Sequence, residues 1–218
     1  MDERSRLGVR ETYETIGEHF SKTREYAWPE VEAFVGTDRD VHTALDVGCG
    51  NGRHAVLLAD VAARVIGIDA SRALLTAARE RVGHRADLVQ GDASRLPLAT
   101  DSVDLAVYVA TLHHLPTERD RAASLDELAR VLAPEGRALV SVWSTAHDRF
   151  DVDEDAPVGF DTTVDWTLPD GETVPRFYHI YAPAEFRTVL AESELWVVDF
   201  ELSSGNCYAV VEPEGKRP

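Results

Sequence analysis

The sequence predicts a doubly wound α/β fold with a Rossmann-like parallel sheet, and three observations predict it. From Thr43 onward, short apolar runs alternate with segments of helical period. Three of the runs end in an acid: Asp46, Asp69 and Asp92. The first passes straight into alternating glycines, Gly48, Gly50 and Gly52, within TALDVGCGNGRH. Strand, glycine turn and helix is how such a sheet holds a nucleotide-like ligand against bare backbone at its carboxyl edge.

The chain has 218 residues, 44 % of them hydrophobic, which suits one α/β domain over 1–218 with a full core. No apolar run approaches the ~20 residues of a membrane span, and MDERSRLGVR has no signal-peptide core, so no membrane association is expected. Cys49 and Cys207 are the only cysteines and have no metal-ligand spacing, which predicts a cytoplasmic, reducing setting and no bound metal. Net charge is −17, from 39 acidic and 22 basic residues, and only Lys22 and Lys216 are lysines. Acid spread over the whole chain predicts a halophilic surface, since the screening length falls to about 3 Å at 1 M salt.

In chain order, residues 1–10 read as a loose charged start, and Tyr13, Ile16 and Phe20 share a helical face from Glu11. A second short helix follows Trp28-Pro29, so 11–35 reads as a helical cap over the ligand. Strands are expected at Thr43–Val47, Arg64–Asp69, Ala86–Gln90, Ser102–Ala110 and Arg137–Trp143. Ser71 is placed to cap one helix, and Thr117 with Asp120 to open another that runs through Leu132 to a stop at Pro134–Gly136. The acidic stretch 145–175 has no clear period and is too long for a plain connection, so it reads as a lid or substrate loop. Pro183 starts a last helix, and ELWVVDFEL and NCYAVVE, joined by SSG, read as a closing antiparallel hairpin.

The loop chemistry narrows the ligand. Arg53 stands where a dinucleotide fingerprint needs glycine, and no Gly-Lys-Ser/Thr follows for a P-loop. Asp46 would repel a pyrophosphate but suits a cationic amino-acid group, which points to S-adenosylmethionine. Asp69, about 20 residues past the loop, is placed to accept from both ribose hydroxyls, and Asp92 with the Ala93 backbone to receive adenine. Each acid alone is equally a helix cap; three in register make a cofactor site.

The chain resembles the class I S-adenosylmethionine-dependent methyltransferases, and among them the wobble-uridine tRNA carboxymethyl methyltransferases. The resemblance rests on HFSKTR with Trp28-Pro29, LDVGCGNGRH, GIDASRALL, GDASRLPL, VATLHHLPTERDR, ELARVLAPEGRALVSVW, RFYHIYAPAEF and GNCYAV, from Tyr13 to Val211. Two departures stand in the acceptor region: Asp165-Trp166 for Val-Pro-Trp, and Cys207 after Asn206 where tryptophan is common. The resemblance implies a cofactor site of Arg24, Asp46, Gly48, Cys49 and Gly50 with Asp69, Ala70, Asp92, Ala93, Val109 and His114. It implies methyl esterification of a carboxymethyl group on tRNA, with Arg24, Arg176, His179, His114 and Asn206 positioning the acceptor and Tyr208 at the same mouth. It also implies a heterodimer with a small zinc-binding activator subunit docked on the open edge of Ala86–Gln90. A carboxylate acceptor needs no base, whereas a hydroxyl or acidic carbon would need one, for which His114 is the candidate. Trp28, Trp143 and Trp166 either stack on a flipped base or pack the core. Arg119, Arg121, Arg130 and Arg137 form a basic strip or are ordinary helix charges. A small-molecule methyltransferase and a non-catalytic cofactor-binding subunit are the other readings of the same motifs.

Overall fold

The computed structural model describes residues 5–36, 41–152 and 156–215. The expectations for 1–4 and for Lys216 lie outside the described residues. Two helices lead, α1 (Arg6–Lys22) and α2 (Pro29–Val35). The alternating core follows: β1 (Val41–Val47), α3 (Arg53–Leu58), β2 (Ala62–Asp69), α4 (Arg72–Val82), β3 (Asp87–Gln90), β4 (Val103–Val109), α5 (Glu118–Val131) and β5 (Leu132–Trp143). After it come β6 (Phe160–Thr167), β7 (Thr173–Ile180), α6 (Pro183–Ala191), β8 (Leu195–Ser203) and β9 (Asn206–Pro213).

Seven strands form one sheet in the order β3-β2-β1-β4-β5-β9-β8, parallel up to β5 and antiparallel at β9 and β8. The Rossmann-like prediction and the closing hairpin are both met. Alternation along the buried strands sends Leu45, Val47 and Ile68 to one face, where Leu125, Leu128 and Phe186 cover them. Ala44, Val65 and Val107 face the other way, against Val31, Ala55, Leu58 and Val82. Caps fall where the sequence put them: Ser71 accepts from Leu74 N–H, and Thr117 from Asp120 N–H.

Three boundaries differ. The first helix begins at Arg6 rather than Glu11, because Ser5 accepts the Gly8 N–H and caps it. No gap separates α5 from β5; Pro134–Gly136 sits in a register shift where Val103 pairs with Leu132 and Leu105 with Arg137. The stretch 145–175 is not a structureless lid: β6 and β7 pair antiparallel from Phe160–Ile180 to Thr167–Thr173. Its period of two was present, with Phe160, Thr162, Val164 and Trp166 turned in and Asp161, Thr163, Asp165 and Thr167 exposed. Threonines on both faces flatten the hydrophobic contrast that would have revealed it.

This hairpin folds back over the sheet's carboxyl edge. Tyr181 N–H donates to the Trp143 carbonyl and Thr145 N–H to the Tyr181 carbonyl, which fixes its base. Its tip is clasped to α1: Trp166 Nε1–H donates to His19 Nδ1 at 3.1 Å, and the indole meets Phe20 edge-on at 5.2 Å. Replacing Trp166 with alanine should cost about 2–4 kcal/mol, the lower part of the range for deleting a large aromatic. Hydrogen exchange should rise across 160–180 while the seven-stranded sheet stays protected; unchanged exchange there would remove the clasp.

Candidate functional site

A cavity of about 750 Å³ opens at the carboxyl ends of the parallel strands, within the range of ligand sites. The glycine loop and the ends of β2 and β4 form its floor; α1, the 23–28 segment and β7 form its roof.

The glycines are needed for shape. Gly48 has φ +67°, and a Cβ there would come within 2.2 Å of the Thr111 side chain. Gly50 has φ +52°, and a Cβ would meet no protein atom within 4 Å, so bare backbone borders open cavity. The loop's donors are already committed. Gly48 and Cys49 N–H donate to the Ile68 carbonyl at 2.7 and 3.0 Å, and Gly52 N–H to the Cys49 carbonyl. Gly50 N–H donates to Asp69 Oδ2 at 2.8 Å. Four spent N–H groups suit a neutral or cationic ligand better than a pyrophosphate, as the sequence implied.

Asp69 borders the cavity, its other oxygen accepting from Ser71 N–H at 2.8 Å. Burial raises its pKa to about 6, against the lowering pull of those N–H groups. Each oxygen keeps acceptor capacity for a diol. Asp92 is already paired: Arg6 Nη1 lies 2.7 Å from Oδ2, and Ser94 N–H and hydroxyl donate to Oδ1. Both partners are half exposed, so the pair is worth about 1 kcal/mol or less. Ala70, Ala93 and Val109 line the same wall.

Asp46 departs from expectation. It is 1 % exposed and does not border the cavity; it lies behind the loop with Oδ2 unpartnered. Burial raises its pKa to about 7, with Arg53 opposing and Asp69 adding to the rise.

The two histidines on the turn after β4 (Leu112–His114) split as their bonds dictate. His113 Nδ1 accepts the Trp143 N–H, a backbone tie. His114 Nδ1 lies 2.9 Å from the Phe177 carbonyl and so carries the proton, which leaves Nε2 to accept from the Tyr13 hydroxyl at 2.8 Å. Burial lowers the His114 pKa to about 3, with Arg176 contributing. His114 is a neutral brace between α1 and β7, with both nitrogens in use.

Arg24 and Arg176 both border the cavity, and neither has a carboxylate partner among the described residues. Arg176 is 6 % exposed, lies over the Trp166 and Tyr178 rings at 5.0 and 5.2 Å, and its Nε is unpartnered. Arg24 lies over Phe20 at 4.8 Å, and burial lowers its pKa. Asn206 and Trp143 complete the mouth. His179 is not brought there: Nδ1 lies 2.7 Å from Asp161 and Nε2 2.9 Å from Glu185, so two carboxylates hold it outside the cavity lining. Tyr208 packs in the core against Trp28. Trp28 and Trp143 line the cavity and Trp166 does not. The basic strip does not form: Arg121 and Arg130 spend donors on the carbonyls of Leu115, Leu96 and Leu98, and Arg137 lies against Phe34.

Sequence reasoning missed Asn51 and the roof tyrosines. Asn51 Nδ2 donates to the carbonyls of Ser21 and Arg24 at 2.9 Å each, which ties the cap to the glycine loop. A buried amide beside three glycines was the available signal. Tyr13 was read only as an apolar helix position, yet it reaches His114, Tyr178 and Arg176.

Fold and site together define an α/β enzyme of the class I methyltransferase type. The Methyltransferase domain model matches residues 45–140. An Encephalitozoon cuniculi protein named as a methyltransferase is 30 % identical over 207 residues, 94 % of each chain. The chain belongs to the S-adenosylmethionine-dependent methyltransferases. The tRNA (carboxymethyluridine(34)-5-O)-methyltransferase of Mus musculus is 35 % identical over 136 residues, 62 % of this chain but 20 % of that protein. The matches to the first curated relatives thus span only about a fifth to a third of their length. Among solved structures, a complex of the Haloferax volcanii Trm112 methyltransferase activator with a methyltransferase aligns with a TM-score of 0.71 at 16 % identity, over 96 % of this chain and 99 % of that one. Among the described residues no helix is long and apolar enough to cross a membrane.

An acid whose folded pKa is raised keeps its proton in the folded state after the unfolded chain has lost it. Asp46 therefore costs stability as pH climbs from its ordinary value of 3.8 through about 7. Asp46→Asn removes that cost, so its stability relative to the parent should grow by about 2–4 kcal/mol between about pH 4 and pH 8. Urea unfolding at several pH values measures it; a pH-independent difference would contradict the buried charge.

Proposed function

We propose that the chain transfers the methyl group of S-adenosylmethionine to the carboxylate of a carboxymethyl group on the wobble uridine of tRNA, forming the methyl ester. The observation that carries this is the pair Arg24 and Arg176. In a chain with a net charge of −17, these two guanidinium groups border one cavity, with Arg53 beside them, and none of the three has a carboxylate partner within ion-pair distance among the described residues. Leaving them unmatched makes sense if the ligands bring the anions: one carboxylate on the cofactor and one on the acceptor. The likeness to tRNA methyltransferases supports the choice of acceptor.

S-adenosylmethionine supplies a methyl group on a sulfonium already primed to leave. The chain's own residues then bind and orient. Asp69 accepts from the ribose, Asp92 and the Ala93 backbone take the adenine, and Gly48, Cys49, Gly50, Ala70 and Val109 shape the slot. Arg24 holds the cofactor carboxylate; Arg176 holds the acceptor in line, with Asn206 on the uridine edge. His114 positions Tyr13 and the roof and takes no proton, since both its nitrogens are occupied. An ionised carboxylate needs no base, so positioning accounts for the catalysis. His179 serves the hairpin, not the acceptor.

The same reading includes a heterodimer with a small zinc-binding activator on β3. That four-residue strand ends the sheet and has a free backbone edge, which supports strand addition. Among the described residues no cluster of ligands forms a metal site, so the zinc would be the partner's own. A cytoplasmic, salt-rich setting fits the acidic composition.

Asp69→Ala should weaken S-adenosylmethionine binding roughly ten- to hundredfold in calorimetry, the cost of losing charge-assisted bonds. Parent-like affinity would take Asp69 out of the site. Arg176→Ala should leave that affinity nearly unchanged and lower methylation of tRNA by roughly 10²-fold. Nucleosides from a strain lacking the protein decide the acceptor: free carboxymethyluridine should accumulate at the wobble position, and a normal level of the methyl ester would refute the assignment.

A further inference from the structure

The segment between α1 and α2 carries a surface that neither the cofactor nor the acceptor carboxylate uses. Tyr26 is 74 % exposed, an unusual position for a tyrosine ring. Two arginines flank it. Arg81, exposed on α4, donates from Nη1 to the carbonyls of Arg24 and Glu25 at 3.0 Å each. Arg53, at the start of α3, lies over the Trp28 ring at 4.8 Å and reaches the Tyr26 carbonyl from Nη1 at 3.4 Å. Neither has a carboxylate partner within ion-pair distance among the described residues; Arg64 and Arg85, by contrast, are paired with Asp87 and Asp60. Burial lowers the pKa of Arg53 to about 10, with neighbouring Arg24 adding to the effect and Asp46 opposing it. The neighbouring carboxylate, Glu25, raises the pKa of the Tyr26 hydroxyl and forms no ion pair with either guanidinium among the described residues.

Arg53, Trp28 and Arg24 also border the cavity, so this surface is continuous with its mouth. We infer that Tyr26, Arg53 and Arg81 form a landing surface for single-stranded RNA beside the methyl-acceptor site, with the tyrosine ring stacking on a base that flanks the target and the two guanidinium groups meeting adjacent phosphates. An exposed ring on a segment whose backbone is held by two arginines without carboxylate partners offers what single strands require: a face for any base and charge for the backbone. A loop nucleotide reaches a deep cavity only when its neighbours are splayed out and held. The chain as a whole carries a net charge of −17, so long-range attraction is not the purpose of these cations. The inference rests on the RNA half of the proposed function and is tested by binding alone, without methyl transfer.

The test uses the full chain and a fluorescein-labelled RNA stem-loop with a seven-nucleotide loop, followed by anisotropy over a range of salt. Arg81→Glu should weaken binding about tenfold and flatten the salt dependence by about one unit of slope, as loss of a phosphate contact does. Tyr26→Ala should weaken it about tenfold with the slope unchanged, and Tyr26→Trp should restore it. Affinity for S-adenosylmethionine and thermal unfolding should stay at parent values in the Tyr26 variants, whose side chain is exposed; Arg81→Glu, which also gives up two bonds to the carbonyls of Arg24 and Glu25, is judged by its salt slope. A parent protein that does not bind the RNA overturns the inference, as do variants that bind it equally well. So does polyglutamate competing as well as the RNA, which would mark a surface for any polyanion. If this binding pattern holds while no methyl ester forms on tRNA, the acceptor assignment fails and the landing surface stands.

Discussion

The turn from β1 into α3 must cross the sheet's edge while giving its polar backbone to the protein and its bare side to a ligand. One carbonyl, that of Ile68, and one carboxylate, that of Asp69, take three of its N–H groups. This pins the glycine loop to the end of the neighbouring strand, and positive φ at Gly48 and Gly50 is the geometry that allows it. The rest of the site inherits its position from that joint. Asn51, next in sequence, carries the joint outward to the carbonyls of Ser21 and Arg24, so the roof is registered on the floor by a single side chain. Strand, loop and helical cap are therefore one mechanical unit.

The roof itself is assembled from distant segments by polar ties across a mostly aromatic contact. Tyr13 on α1 donates to His114, whose other nitrogen faces the Phe177 carbonyl on β7. Trp166 on β6 returns to α1 through His19 and Phe20. Burial favours the uncharged imidazole at both His113 and His114, which lets them stand beside Arg176 without repulsion. A charged histidine here would compete with Arg176 for any anion. Neutral braces leave the positive potential of the mouth to guanidinium groups, which hold it at every physiological pH.

Much of this was legible. Buried parallel strands declare themselves as continuous apolar runs, and helix starts as the capping hydroxyls of Ser71 and Thr117, so the sheet, its helices and the glycine loop could be placed, with ends off by up to five residues. Asp69, Asp92, Arg24, Arg176 and Asn206, singled out from spacing and resemblance, all line one cavity. What failed to show did so for physical reasons. The β6–β7 hairpin carries threonine on both faces of β6 and so hides its period. Asp46 ends a strand as Asp69 does, but whether such an acid faces ligand or lies behind the loop depends on one pleat, which motif spacing does not encode. His179 sits in a matching segment, yet Asp161 and Glu185, 18 and 6 residues away, decide its role.

Charge gives the site its logic. A protein this acidic has carboxylates to spare, and it spends them on Arg6, Arg64, Arg85 and Arg130. That Arg24 and Arg176 stay unmatched sets the potential of the cavity, and for Arg176, which is buried, the lack of a counter-ion is costly. The cost is lessened by the rings of Phe20, Trp166 and Tyr178, whose faces stabilise a guanidinium without neutralising it. Aromatic faces, several for Arg176 and one for Arg24, thus leave the cations available where a carboxylate would have consumed them. At the opposite end Asp92 is matched, but by a half-exposed Arg6 in a pair worth about 1 kcal/mol or less. The same cavity therefore has unmatched cations at one end and a loosely matched carboxylate at the other.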